Sequence, residues 1–173
     1  MPVDCAGWKG CYDADGFEAP LDISINIKAA MPDDYGWCAG LMESSEPWVT
    51  LGRNLGSCRD VLTRPGGDLF IARKAENDAP AGFILIAPNG LAGSPYIACI
   101  AVAAEMRAKG IGSEMLRFAE RRVIAPGHLF LVVSSFNHKA RRLYLRQGYE
   151  CVGELKDYCV AGHSELILHK GLK

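Results

Sequence analysis

The sequence predicts an α/β (α+β) fold: a central mixed, mostly antiparallel sheet of about six or seven strands flanked by about four helices. Three observations predict it. The first half reads as a strand, two helices and a hairpin, which suits antiparallel pairing. Two apolar runs, YIACIAVAA and HLFLVVSS, lack polar alternation, as strands buried on both faces do. In the second half strands alternate with helices, which brings parallel pairing into the same sheet.

The elements follow in order. LDISINIK, Leu21 to Lys28, alternates apolar and polar residues, so it reads as a strand with one side buried. PDDYGWCAGLME reads as a short helix weakened by Gly36 and Gly40. A second helix is expected over residues 44–64. Ser44 or Ser45 would cap it, and Trp48, Leu51, Leu55, Cys58 and Leu62 would form one stripe. Pro65, Gly66 and Gly67 stop it. DLFIARKA and AGFILIAP make a hairpin around Asn77, Asp78 and Pro80, and NGLAGSP reads as a loop. YIACIAVAA is the central strand. A helix then runs to about Val123, Pro126 and Gly127 break the chain, and HLFLVVSS is a buried strand. NHKARRLYLRQG is a helix capped by Asn137 and stopped by Gly148. YECVGEL and HSELILHK close the sheet.

The 173 residues suit one domain, read as 21–173 behind an N-terminal arm of 1–20. Apolar residues make up 49% of the chain, enough for a core. A formal net charge of −1 argues against a nucleic-acid binder, although two local cations suffice for a small anion. The N-terminus has no apolar core of a signal peptide. The apolar run 81–104 is broken at Pro88, Asn89, Gly90, Gly93 and Pro95, short of the ~20 residues of a membrane span. A cytoplasmic protein with no membrane partner is therefore expected. Seven cysteines without a C-x-x-C suit small buried hydrophobes. His128, His138, His163 and His169 show no paired metal spacing, so no metal is expected.

The chemistry concentrates in RAKGIGSEML, Arg107 to Leu116. A helix N-terminus carries unpaired N–H groups and a partial positive charge, and so can hold an anion. Gly110 and Gly112 let the backbone turn sharply and approach a ligand closely. Arg107 and Lys109 add charge, and Ser113 adds a hydroxyl. Two readings stand: a pyrophosphate cradle, or an ordinary strand-to-helix turn with surface cations. Walker A fails, because no GKS or GKT occurs, and the dinucleotide fingerprint fails because Met115 stands where its third glycine should be.

The R/Q-x-x-G-x-G/A pattern after a buried strand resembles the coenzyme-A loop of the GNAT superfamily of N-acyltransferases. Asn137-x-x-Ala140-x-x-Leu143-Tyr144-x-x-x-Gly148-Tyr149 is similar to a second segment of that family. YCVAGHSELILHK is similar to its closing Y-x-x-x-G-x-x-E strand pair, and the ending resembles the peptide α-amine acetylases of ribosomal proteins.

The resemblance implies a three-layer fold with a bulged central strand, and acetyl-CoA as cosubstrate without a metal. Ile100, Ala101 and Val102 would offer backbone groups to pantetheine, with Val102 or a neighbour polarising the thioester carbonyl. Arg107, Ala108, Lys109, Gly110, Ile111, Gly112 and Ser113 would hold the pyrophosphate, and Asn137 would meet the cofactor while capping its helix. Lys139, Arg141 and Arg142 read as a solvated face within reach of an adenosine phosphate. Tyr144 would give a proton to the leaving thiolate. Trp48 and Arg53 sit where the family builds its acceptor wall. The family's strand carboxylate lies about eleven residues before the loop, where this chain has Tyr96, read as a substrate-binding residue. No carboxylate occurs between Leu91 and Ala104. The base is then a water with backbone carbonyls, or Glu43 or Glu46, with Glu46 named first. The acceptor would be a primary amine, either a small molecule or a peptide N-terminus, and closing strands that pair between subunits would make a homodimer. The missing carboxylate also suits a non-catalytic acyl-CoA-binding sensor on the same fold.

Overall fold

The structure, a computed structural model, describes residues 23–173. The expected arm 1–20 and the start of the first strand lie outside the described residues. The elements are β1 (Ile25–Ala29), α1 (Asp34–Glu43), α2 (Leu55–Leu62), β2 (Asp68–Lys74), β3 (Pro80–Leu91), β4 (Ser94–Val102), α3 (Ile111–Glu120), β5 (Gly127–Ser134), α4 (His138–Arg146), β6 (Glu150–Lys156) and β7 (Ser164–Leu172). The seven strands form one sheet in the order β1-β2-β3-β4-β5-β7-β6. Only β4–β5 is parallel; every other neighbour pair is antiparallel. This is the mixed, mostly antiparallel sheet with four flanking helices that the element order predicts.

Strand alternation sorts the core into two faces. Ile84, Ile86, Ile97, Leu129, Leu131, Val133, Leu166 and Leu168 pack with Met115 and Leu116 of α3 and Tyr144 of α4. Phe83, Leu85, Cys99 and Ala101 pack on the opposite face with Cys38 and Met42 of α1 and Cys58 and Leu62 of α2. The result is three layers, helix pair, sheet and helix pair. Asp34 is buried in α1 and pairs with Arg73 of β2, so the charge that α1 takes inside is compensated across the layer.

Three expectations change. The helix over 44–64 is replaced by turns followed by the short α2. Asn54 starts a new helix because its Oδ1 accepts from Ser57 N (2.9 Å) while Ser57 Oγ accepts from Asn54 N (3.0 Å). Ser44 caps nothing at an N-terminus; its hydroxyl donates back to Gly40 O of α1 (2.9 Å). The stripe therefore holds only for Cys58 and Leu62, and Leu55 is 48% exposed. NGLAGSP is not a loop. β3 runs on to Leu91, which pairs with Ser94 around a two-residue turn, with φ 50° at Ala92 and 78° at Gly93. α3 ends at Glu120 rather than at Val123.

The cysteines divide. Cys38, Cys58 and Cys99 are buried as expected, whereas Cys159 is exposed. His128 and His169 meet across β5 and β7, Nδ1 to Nε2 at 2.9 Å.

Candidate active site

The site begins with a fault in the sheet. β4 pairs with β5 only at Tyr96–Phe130 and Ile97–Leu131. Just past that point the β3–β4 register shifts: Leu85 faces Cys99 but Ile86 faces Ile97, so Ala98 is an extra residue on β4. This bulge turns Cys99 to the face opposite Ile97, although the two are only two positions apart. Beyond it, β4 and β5 separate. Ala98 is exposed and Ile100 and Val102 are half-buried, in the middle of the sheet.

The backbone along the gap has free groups. Ala103 N donates to Ala81 O on β3 (2.9 Å). By two-residue alternation Ala101 also faces β3, and the N–H groups of Ile100 and Val102 face the gap. An extended ligand arm laid there would find donors in place.

At the end of β4 the chain makes a 3-10 turn, Ala104–Met106, and enters the loop. Ala108 (φ 61°) and Gly110 (φ 81°) take the left-handed conformation that aims α3 at the gap. Glu114 N is the first to bond back, to Gly110 O (3.0 Å), so the N–H groups of Ile111, Gly112 and Ser113 have no partner in the preceding turn. The Ile111 side chain is buried in the core, leaving its backbone N–H as the group it can offer. Arg107 is exposed, and its Nε donates to Val102 O (3.1 Å) and its guanidinium to Ser45 Oγ (3.2 Å). It thus ties the loop to β4 and to the α1–α2 connection. The space that Gly112 leaves is taken by Leu143 of α4, which a Cβ would meet at 3.0 Å. Gln147 donates to Ser113 Oγ (3.4 Å), a contact that sequence reasoning did not find.

Asn137 caps α4, its Oδ1 accepting from Ala140 N (3.3 Å). Two turns on, Tyr144 is 6% exposed. Burial pushes its phenol well above the ordinary value of 10.0, and the nearby Cys99 and Tyr96 push it the same way. Tyr144 packs on the α3–α4 face, yet Cys99 belongs to the other face. The phenol thus responds to a group on the far side of the sheet. It remains protonated at neutral pH, which a proton donor requires.

The acceptor-side candidates are less uniform. Trp48 is half-buried beside α1 and α2, and Tyr96 is half-buried one position before Ile97, the last paired residue ahead of the bulge. Glu46 is exposed, and its carboxylate accepts from Thr50 N (3.3 Å) and Thr50 Oγ1 (3.0 Å). Glu43 accepts from Leu55 N at the start of α2 (2.9 Å). Both named bases are thus engaged locally.

Sequence reasoning assigned no role to Glu165. It is buried on β7, opposite Ser134 of β5, whose hydroxyl donates to it at 2.7 Å. Burial, then the Cys99 thiol, then the Glu165 carboxylate raise Tyr96 to about 12. Cys159, in the β6–β7 connection, is raised by burial and by Glu165 and lowered by Arg53 of the α1–α2 connection. Arg53 also acts on Cys58 and Cys99. Groups of these two connections, distant in sequence, therefore lie within electrostatic reach of one another. The available signal was a carboxylate inside the apolar run SELIL.

Residues 31–149 match the model of the acetyltransferase (GNAT) family. A GNAT-family acetyltransferase from Bacillus cereus superposes with a TM-score of 0.67 at 18% identity, covering 87% of this chain and 99% of that one. Arabidopsis thaliana NAA60 with a bisubstrate analogue gives a TM-score of 0.69 at 15% identity, covering 87% and 100%. An aminoglycoside 6'-N-acetyltransferase complexed with coenzyme A gives 0.67 at 16% identity, covering 84% and 96%. At these identities the likeness reports the fold. No curated protein matches the sequence significantly. The family model spans more than half the chain and includes the bulged strand, the glycine loop and the helix of Tyr144, and on that ground the chain belongs to the GNAT acetyltransferase family.

Proposed function

We propose that the chain is an N-acetyltransferase that moves an acetyl group from acetyl-CoA to a primary amine by direct attack in a ternary complex. The observation that carries this reading is the gap between β4 and β5, with backbone donors along one edge and a buried phenol at its side. Acetyl-CoA would supply an activated acetyl thioester. The residues present fit such a molecule. The unpaired N–H groups of Ile111, Gly112 and Ser113, the left-handed Gly110 and the cations Arg107 and Lys109 form an anion cradle. The N–H groups of Ile100 and Val102 suit an amide-bearing arm, and the Val102 amide would polarise the thioester carbonyl. Tyr144 would deliver its proton to the departing sulfur, whose thiol has an ordinary pKa near ~8.5. Trp48, Arg53 and Tyr96 would border the amine, and Asn137 would keep α4 aimed at the gap.

The test is a calorimetric titration with acetyl-CoA of the wild type and of an Arg107→Ala/Gly110→Asp double variant whose folding is checked by circular dichroism. Micromolar binding by the wild type alone supports the reading. Equal binding by both would move the pyrophosphate off this loop, and no binding by the wild type would remove the reading.

A second reading, an acyl-CoA-binding sensor, is favoured by one observation: β4 carries no carboxylate. Release of free thiol with any amine in a panel of peptides and polyamines would eliminate it.

A further inference from the structure

We propose that Glu165 binds the ammonium group of the acceptor and takes its proton, and so fills the place left by the missing carboxylate on β4. This rests on the acetyltransferase reading above.

Burial is the first argument. Asp34 and Glu165 are the buried carboxylates among the described residues. Asp34 has its cation in Arg73. Glu165, at 7% exposure, forms no ion pair among the described residues; its side-chain partner is the neutral Ser134 hydroxyl. A carboxylate held out of water without a cation is costly, and a ligand's ammonium would relieve that cost. One hydroxyl leaves most of its lone-pair directions open.

Position is the second argument. Ser134, which pairs with Glu165, lies three residues past Leu131, where β5 has already parted from β4. Leu166 and Leu168 point into the core that holds Tyr144. Alternation therefore sends Glu165 to the other face, which it shares with Tyr96, Cys99 and Ala101. The phenol and the carboxylate approach the gap from opposite sides of the sheet. Glu46 and Glu43 have no such position, because Thr50 and Leu55 engage them.

The surroundings are the third. Tyr96 of β4 and Cys159 of the β6–β7 connection both feel the carboxylate electrostatically, and Leu155 of β6 stands opposite Glu165 in the sheet register. Arg53 is exposed and acts on Cys159, Cys58 and Cys99. A cationic amine that reached Glu165 would supply the counter-charge the carboxylate lacks.

The step balances. A proton leaves the ammonium for the Glu165 carboxylate. The freed nitrogen lone pair attacks the thioester carbonyl carbon, a C–N bond forms and the C–S bond breaks. The thiolate takes the Tyr144 proton, the second nitrogen proton restores Tyr144, and Glu165 returns its proton to solvent.

The experiment uses the full chain as wild type, Glu165→Gln and Glu165→Asp. Gln keeps the shape and can still accept from Ser134. Spermidine, benzylamine and the tripeptide Ser-Ala-Gly are titrated calorimetrically in the presence of coenzyme A, and kcat/KM is followed against pH by thiol release. For the best probe, Glu165→Gln is expected to bind at least tenfold more weakly and to lose at least a hundredfold in kcat/KM, with acetyl-CoA affinity unchanged. Glu165→Asp is expected to restore part of both and to shift the acid limb of the profile. Wild-type binding and turnover in Glu165→Gln would overturn the inference alone. Failure of the wild type to bind acetyl-CoA would overturn the inference together with the reading on which it rests.

Discussion

Tyr144 keeps its proton because its ring is shut away from water, and a buried phenolate would have no cation to offset it. A single atom separates Tyr from Phe at this position. Tyr144→Phe should therefore bind acetyl-CoA as the wild type does and lose about a hundredfold in kcat, the usual contribution of a positioned proton donor. Parallel calorimetry and steady-state kinetics check this. Gly112 acts through shape instead. A Cβ would meet Leu143 Cδ2 at 3.0 Å, so Gly112→Ala forces the Leu143 side chain to give by a few tenths of an ångström against the α3–α4 packing. We expect a loss of about 1–3 kcal/mol in urea unfolding, with relief when Leu143→Ala is added. Restoration of stability in the double variant would identify the contact.

Elements are set by a few residues at their ends. The reciprocal bonds of Asn54 and Ser57 begin α2 and end the turn that carries Trp48 and Arg53. Asn54→Ala should destabilise by about 1 kcal/mol, read as a shift of the urea midpoint with an unchanged slope. β4 shows the opposite device, a defect within an element. Past the bulge at Ala98 the pairing between β4 and β5 ends and a gap opens in the sheet. The predicted central strand was legible as an apolar run. The bulge was expected only from the family resemblance, and its position was not legible, because nothing in YIACIAVAA distinguishes one alanine from the next. Its position follows from matching Leu85 and Ile86 of the neighbouring strand to opposite faces of the core.

At the scale of the whole molecule, burial of titratable groups makes stability depend on alkaline pH. Cys38 and Cys99 are raised from 9.0 to about 12, and Tyr96 from 10.0 to about 12. Tyr144 and Tyr149 are raised further, by burial first. Below the unfolded values both states hold these protons, and stability is flat. Above them the unfolded chain ionises while the folded chain does not. Stability should therefore fall as pH rises from about 9 toward 12, by up to about 1.4 kcal/mol per pH unit for each group. Urea unfolding at neutral pH and at steps across that window measures it; a flat profile would contradict the burial. Acetyl-CoA at a hundredfold its Kd should add about 2.7 kcal/mol at neutral pH, seen as a rise in Tm.

The amino-acid sequence by itself determined most of the secondary structure, the mixed sheet, the glycine loop at the start of α3 and the face of α4 that carries Tyr144. These rest on periodicity, caps and turns, which involve residues a few positions apart. Only the tertiary structure decided where α2 begins, where β4 leaves β5, and that Gly112 accommodates Leu143. It also set Ser134 opposite Glu165, through the strand order β4-β5-β7 and the register of β5 and β7, and left Tyr96 within electrostatic reach of that carboxylate. The reason is physical. A local motif selects a backbone conformation from its own residues, whereas strand order, register and a buried charge are settled by the free energy of packing the whole sheet.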